Sequence, residues 1–282
     1  MTITVVVATY NRPAQLRLLL ECLAAQTLKA EVIVVDDGSH DALDDVVRPF
    51  DCKLIRQDNA GPAAARNRGV AAAVSEFVAF TDDDCEPAPE WLEGFAERLR
   101  THPECLLGGL TLNAASGNAY SEVSQLIVDV AYHFYRGAFF ASNNMAVSRR
   151  GFLEYGGFDE SFRPASEDRE FCDRWRHRGG AFHFVPEAIV RHRHAHTLAS
   201  FVRTHFNYGR GAVRFHRACG QRGSGGIVPH LRFFAEFPAL YRAANSRCLR
   251  VGHWKAALLI ALWQLANTAG ALREIFWMLA RR

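Results

Sequence analysis

Three adjacent carboxylates, Asp82-Asp83-Asp84, stand directly after the apolar run Phe77-Val78-Ala79-Phe80. Like charges this close repel one another and cost stability unless a cation offsets them. Hard divalent cations take carboxylate oxygens and share their coordination with substrate phosphates. The triplet is therefore a candidate metal and phosphate site. The bland alternative is a solvated acidic turn, and the buried-strand context argues against it. A second cluster, Asp36-Asp37-Gly38-Ser39, ends another apolar run. A carboxylate there can accept hydrogen bonds from a ribose or a base, or merely cap a turn; the residues alone leave both readings open. His192, His194 and His196 alternate, so a strand would put all three on one face, as a metal-ligand set or as an exposed edge. Trp175 reads as core rather than as a sugar platform.

These groups need a scaffold, and the first hundred residues supply one. Short β-branched runs at Ile3–Ala8, Glu31–Val35, Lys53–Arg56 and Glu76–Thr81 predict strands. Helical spacing covers Pro13–Gln26, Ala63–Val74 and Pro89–Arg100, with Pro13 suited to a first turn. Such alternation predicts a mostly parallel α/β sheet with helices on both faces. Ligands bind such sheets at the carboxyl ends of the strands, which is where the polar clusters fall. From Cys105 to His196 the pattern is less regular. Strand-like pieces occur at Cys105–Leu112, Phe139–Val147 and Ala181–Val185, and a helix is expected over Glu167–Arg178. From Leu198 onward the pattern is helical, with Gly220–Gly226 as a candidate linker.

Several stretches together resemble a family 2 glycosyltransferase. On the nucleotide-sugar side they are Val5-Val6-Val7-Ala8-Thr9-Tyr10-Asn11-Arg12, Val34-Val35-Asp36-Asp37-Gly38-Ser39, Gly61-Pro62-Ala63-Ala64-Ala65-Arg66-Asn67 and Phe80-Thr81-Asp82-Asp83-Asp84. On the acceptor side they are Asn143-Asn144-Met145-Ala146-Val147, Gly156-Gly157-Phe158-Asp159-Glu160 and Glu167-Asp168. The resemblance covers about Thr2 to His196 and implies a GT-A fold. It implies inverting transfer of a sugar from a nucleotide-diphosphate donor, a UDP-sugar foremost, to a hydroxyl of a glycan, a lipid-linked molecule or a small molecule. It implies a nucleotide pocket of Ala8, Tyr10, Asn11, Arg12, Asp37, Arg66, Asp82 and Asp83, and a Mn²⁺ or Mg²⁺ ion on Asp84 with His192 completing its shell. Asn143, Asn144 and Asp159 would contact the acceptor. Glu167-Asp168 would supply the general base, with helix capping as the structural alternative. Adjacent helical residues point about 100° apart, so one of the pair is expected to face the acceptor, and Asp168 is the choice. The implied domains are 1–197, divided into a nucleotide-sugar half (1–104) and an acceptor half (105–197), and a basic helical extension, 198–282.

Composition sets outer limits. The 282 residues are 49% hydrophobic and 22% charged with a net charge of +3, which is globular usage and gives no global reason to expect nucleic acid. The charge is uneven: Leu198–Arg282 carries 13 Lys and Arg against 2 acids, whereas the preceding part is net acidic. The 7 cysteines form no CxxC pair, which points to a reducing, cytoplasmic setting. No signal peptide is visible, and the uncharged run Ala256–Leu272 falls short of the ~18–20 residues of a spanning helix. On a helical wheel Phe201, His205, Tyr208 and Phe215 share one face, and Arg203, Arg210, Arg214 and Arg217 the other, with Gly209 and Gly211 weakening the helix. Helices packed on the domain with a solvated arginine face, and peripheral contact with an anionic membrane, are both open readings. Two other classes stand as alternatives. A sugar-nucleotide nucleotidyltransferase would carry a glycine-rich loop after the first strand, where this chain has Thr9-Tyr10-Asn11-Arg12-Pro13. A non-catalytic scaffold would show a broken acidic triplet, and this one is intact.

Overall fold

The computed structural model describes residues 1–115, 117–134, 139–163, 165–193, 196–226 and 251–281, with 232, 233, 235, 238, 239 and 242. Two compact units emerge. One comprises Met1–Ala114, Phe140–Arg163 and Arg174–Arg193; the other comprises Ala115–Phe139, Pro164–Asp173 and His194–Arg282. The position 197/198, expected as a domain boundary, lies within the His194–Arg282 stretch of the second unit.

The first unit is built on one eight-stranded sheet. Its strands are β1 (Ile3–Thr9), β2 (Glu31–Asp36), β3 (Lys53–Arg56), β4 (Phe77–Asp82), β5 (Cys85–Pro87), β6 (Leu106–Asn113), β7 (Met145–Ser148) and β8 (Phe182–His192), in the order β3-β2-β1-β4-β7-β6-β8-β5. β1 runs parallel to β2 and β4, with Thr9 opposite Asp36 and Ala8 opposite Asp82. That register brings three polar strand ends to one edge. β1, β2 and β4 are buried on both faces, which explains their unbroken apolar runs. Helix α1 (Pro13–Ala24) buries Leu16, Leu19, Leu20 and Leu23, each contributing about 1.5–3 kcal/mol. Helix α2 (Asp44–Val47) is a single turn. Helices α3 (Pro62–Ala72) and α4 (Trp91–Thr101) complete the layers. Gly69 of α3 lies so close to Val6 that a Cβ there would collide with it.

The second half departs from expectation in three places. β8 runs seven residues beyond Val185, to His192, although Pro186 interrupts the strand pattern. A register shift opposite Gly109/Leu110 bulges Pro186 out and lets pairing resume at Ile189. The strand expected over Phe139–Val147 is only Met145–Ser148, preceded by a 3₁₀ turn at Ser142–Asn144. The segment 119–134 is a helix, α5 (Ala119–Phe134), which its β-branched residues disguise. Asn118 caps it, its Oδ1 accepting from the N–H groups of Tyr120 and Ser121. Short α6 (Arg149–Glu154) and α7 (Glu167–His177) follow.

In the second unit, α5 packs Val123, Leu126, Ile127 and Val130 with Phe201 of α8 (Leu198–Arg222) and with Ala256, Ile260 and Trp263 of α9 (His253–Leu279). The glycines that weaken α8 in isolation are its contact points. A Cβ on Gly209 would strike the Asn267 carbonyl, one on Gly211 the Ala165 carbonyl, and one on Gly270 of α9 the Phe206 carbonyl. Of the arginine face, read either as solvated or as meeting an anionic membrane, half is withdrawn: Arg210 and Arg214 both reach Glu274 of α9, which is fully buried. The candidate linker begins late, because α8 runs to Arg222 and ends on Gly223 in the left-handed region (φ 73°).

Candidate active site

Each carboxylate of the triplet has its own partner. Asp82 Oδ1 accepts from Arg66, at 2.6 Å, from the buried face of α3. Asp83 is buried, accepting from Thr9 Oγ1 at 2.8 Å and from Arg12 at 2.9 Å. Burial, with help from Asp84, pushes its pKa up to about 6 against the opposing pull of Arg12 and Thr9. Asp84 Oδ2 meets Arg12 at 2.9 Å, and its Oδ1 meets His192 Nε2 at 2.8 Å.

The last contact spans 108 residues of sequence and rests on one short pairing. β5 runs antiparallel to β8 and sets Cys85 opposite His192, while the Arg193 N–H donates to the Asp84 carbonyl. Asn143 holds the imidazole from behind, its Nδ2 lying 3.0 Å from His192 Nδ1. Ligand atoms of Asp84, His192 and Cys85 converge within 4.8 Å. Cys85 belongs to the hydrophobic core, and burial raises its thiol well above the ordinary range. Asp84, in the turn between β4 and β5, and His192, at the end of β8, are the carboxylate–imidazole pair of this cluster. That donor set suits a first-row divalent ion and leaves its other positions to phosphate oxygens and water.

The neighbouring strand ends form a linked loop system. The Asn11 N–H donates to Ser39 Oγ, and Asn11 Oδ1 accepts from the His40 N–H, with Asn11 itself in the left-handed region (φ 56°). Asp37 is buried with both oxygens engaged: Oδ1 accepts from Gln57 and from the Ala60 N–H, and Oδ2 from the Gly61 N–H. Its place in the structure is to hold the loop between β3 and α3. Tyr10 is exposed at the edge of this group, and Ala8 sits in the ladder beside Asp82.

The acceptor-side residues scatter. Asn144 is a core residue, accepting from Trp91 Nε1 at 2.8 Å and donating to the Ala188 carbonyl at 3.0 Å. Asn143 is buried behind His192. Both amides are buried and hydrogen-bonded within the fold. Asp159 is exposed and accepts from the Ser161 N–H in a turn. Asn67 fixes the same segment by exchanging hydrogen bonds with the Phe158 backbone and donating to Glu160. Trp175 is buried against Tyr155, ring centroids 4.1 Å apart. β8 stops at His192, so His192 and His196 do not share a strand face; His196 belongs to the second unit, and His194 lies outside the described residues.

Glu167 and Asp168 open α7, in the second unit. Glu167 is buried and Asp168 half-buried. Ser166, just before them, sits in the left-handed region (φ 79°), where a non-glycine residue is strained. Thr9, Asn143 and Gln57 were not singled out in these roles from sequence. Only Thr9, a polar residue closing an apolar strand, left a readable signal.

The profile described as Glycosyl transferase family 2 matches residues 4–155, more than half of the chain and every strand end just described up to β7. The chain belongs to that family. Among curated relatives, a chondroitin synthase of Escherichia coli is 28% identical over 68% of this chain and 34% of its own length. A pre-mycofactocin glycosyltransferase of Mycobacterium tuberculosis is 29% identical over 75% of this chain and 47% of its own. The chain thus spans about a third to a half of these relatives. A mannosyltransferase from Pyrobaculum calidifontis, solved with GDP-Man and Mn²⁺, superposes with a TM-score of 0.68 at 19% identity, covering 97% of this chain and 86% of that one. TarS of S. aureus superposes at 0.62 with 18% identity, covering 95% and 81%. These likenesses establish the GT-A fold, with a helical C-terminal region beyond it.

Proposed function

We propose that this family 2 chain transfers a sugar, with inversion, from a nucleoside-diphosphate donor to an acceptor hydroxyl, in a metal-dependent reaction. The observation that carries the reading is the contact of Asp84 with His192 at the strand-end edge where Asp82 and Asp83 are charge-compensated. In the related mannosyltransferase structure the donor is GDP-Man and the ion Mn²⁺, which supports this donor class and a divalent ion. A UDP-sugar is our first choice of donor.

Asp84 and His192 would hold the ion, with Asn143 fixing the imidazole ring. When bound, the ion stabilises the negative charge that builds on the leaving diphosphate. Arg66 pairs with Asp82 near the nucleotide, and the loop held by Asp37 shapes the pocket floor. Asp168 takes the proton from the acceptor hydroxyl as its oxygen attacks the anomeric carbon opposite the leaving group. Its partial exposure, against the burial of Glu167, supports that choice. Attack from the opposite face inverts the anomeric centre without a covalent sugar–enzyme intermediate.

The test is to incubate the protein with UDP-, GDP- and dTDP-sugars, Mn²⁺ and a panel of hydroxyl acceptors. Diphosphate release and the anomeric proton signals of the product are followed together. The reading expects release from one donor, loss of release in EDTA, and a product of the opposite anomeric configuration. A retained configuration, or release indifferent to EDTA, would contradict it.

A further inference from the structure

Helix α9 carries most of its larger apolar side chains on the outside. Its inward row is Ala256, Ile260, Trp263, Ala266, Asn267, Gly270 and Glu274, mostly small or polar residues. Its outward row is Trp254, Leu258, Leu265, Leu272, Phe276 and Leu279, and Leu265 and Phe276 are 69% and 68% exposed. These positions recur every three, four or seven residues, so they form one continuous stripe along the helix. A soluble surface helix shows the reverse arrangement. The inward row explains itself, because Gly270 and the small residues admit close approach of α8. The outward row has no such internal account.

Charge on the helix identifies what the stripe meets. Lys255 and Arg273 flank it on one side, and Arg281 follows its end; all three are exposed. The helix has one acid, Glu274, which is fully buried and paired with Arg210 and Arg214. The outer surface of α9 therefore carries positive charge only. Each end also has a tryptophan beside a cation: Lys255 lies over the Trp254 ring at 5.9 Å, and Arg281 over the Trp277 ring at 4.2 Å. Tryptophan and basic residues framing an apolar stripe suit the boundary between lipid headgroups and acyl chains. Among the described residues no helix is long and apolar enough to cross a membrane, so the helix would lie along the surface. A second copy of the chain fits less well. It would bring like charges together, and a stripe about 40 Å long and about 10 Å wide offers roughly half of the ~800 Å² that each partner in a stable interface buries.

We propose that the outward face of α9 docks the protein on an anionic lipid bilayer, with the Leu258–Phe276 stripe entering the headgroup region and Lys255, Arg273 and Arg281 contacting lipid phosphates. This goes beyond the transfer reading and does not depend on it.

The test is flotation of the full chain with vesicles of phosphatidylcholine alone and of phosphatidylcholine with phosphatidylglycerol in equal parts. Binding should be more than about tenfold stronger to the anionic vesicles and should weaken with salt. The double variant Leu265→Glu, Phe276→Glu should remain folded by circular dichroism, because both sites are exposed and Glu suits a helix, and should lose flotation. The variant Lys255→Gln, Arg273→Gln should lose the preference for anionic vesicles while retaining weak binding to neutral ones. Absence of flotation by the wild-type chain, or equal flotation by the folded double variant, would overturn the proposal. So would a wild-type dimer in light scattering that the double variant converts to monomer, since the face would then join two copies. Donor cleavage measured without lipid separates this outcome from any failure of the transfer reading.

Discussion

The acidic edge of the sheet and the C-terminal helical unit handle buried charge in opposite ways. At the edge, Asp82, Asp83 and Asp84 draw on Arg66, Arg12 and His192, and Arg12 and Asp84 keep part of their surface in solvent. In the helical unit, Glu274 is fully enclosed between Arg210 and Arg214, and Arg222 joins Glu170 to Asp173 with Ser224 completing the set. Closed networks of the second kind join helix to helix. At the edge the partners come from α3, from the residue before α1 and from the end of β8, and Arg12, its side chain 48% exposed, is the one open to exchange with a ligand. The difference separates charge that shapes the fold from charge available for chemistry.

Four substitutions probe that contrast. Asp168→Asn should leave donor binding intact and reduce transfer roughly 10²–10⁴-fold, the usual contribution of a general base, as read by product formation at saturating donor. If transfer survives and Glu167→Gln removes it, the proton acceptor is the buried neighbour. Glu274→Ala should cost about 3–5 kcal/mol in urea denaturation, because it leaves two arginines facing each other without their acid; a loss below about 1 kcal/mol would mean the network is as exchangeable as the edge. His205→Phe should change the pH dependence of stability. Burial, with a smaller contribution from His196, lowers the pKa of His205 to about 3, whereas the unfolded chain binds that proton near 6.5. Stability from the neutral ring is therefore complete above pH 6.5 and is lost as pH falls below it. The variant should lose about 2 kcal/mol less than wild type between neutrality and pH ~5; parallel curves would contradict this. Asn143→Ala should weaken Mn²⁺ binding about tenfold, as expected for a residue that orients a metal ligand. Unchanged Mn²⁺ affinity would mean that the ring needs no support.

Much of the first unit is legible in sequence because its strands are buried on both faces and read as unbroken apolar runs. Lys53–Arg56 is matched residue for residue, and the other early elements to within one or two residues. The clusters after them fall at the sheet edge because parallel strands share one carboxyl end. What was not legible depends on distant pairing. β5 is three residues long and gains its meaning only from β8, and β8 reaches His192 only through a bulge around Pro186. Asn143 and Asn144, adjacent in sequence, face different partners, a histidine and a tryptophan. In the helical unit, glycines read as helix weakeners are contact points, and an arginine face read as solvated or as meeting a membrane is half committed to a buried acid. Propensity describes an isolated helix, and both features belong to its neighbour.

The central claim is that the acidic edge holds a divalent cation together with a nucleoside diphosphate. Thermal unfolding of the wild-type chain and of Asp84→Ala, with UDP, GDP, dTDP or CDP in Mn²⁺, Mg²⁺ or EDTA, tests it most directly. Ligand at about 100 times its dissociation constant stabilises a folded protein by ~2.7 kcal/mol, a readily measured rise in melting temperature. One nucleotide should raise the wild-type melting temperature only when metal is present, and Asp84→Ala should abolish the rise. A rise that persists in EDTA or in Asp84→Ala, or no rise with any nucleotide, would contradict it.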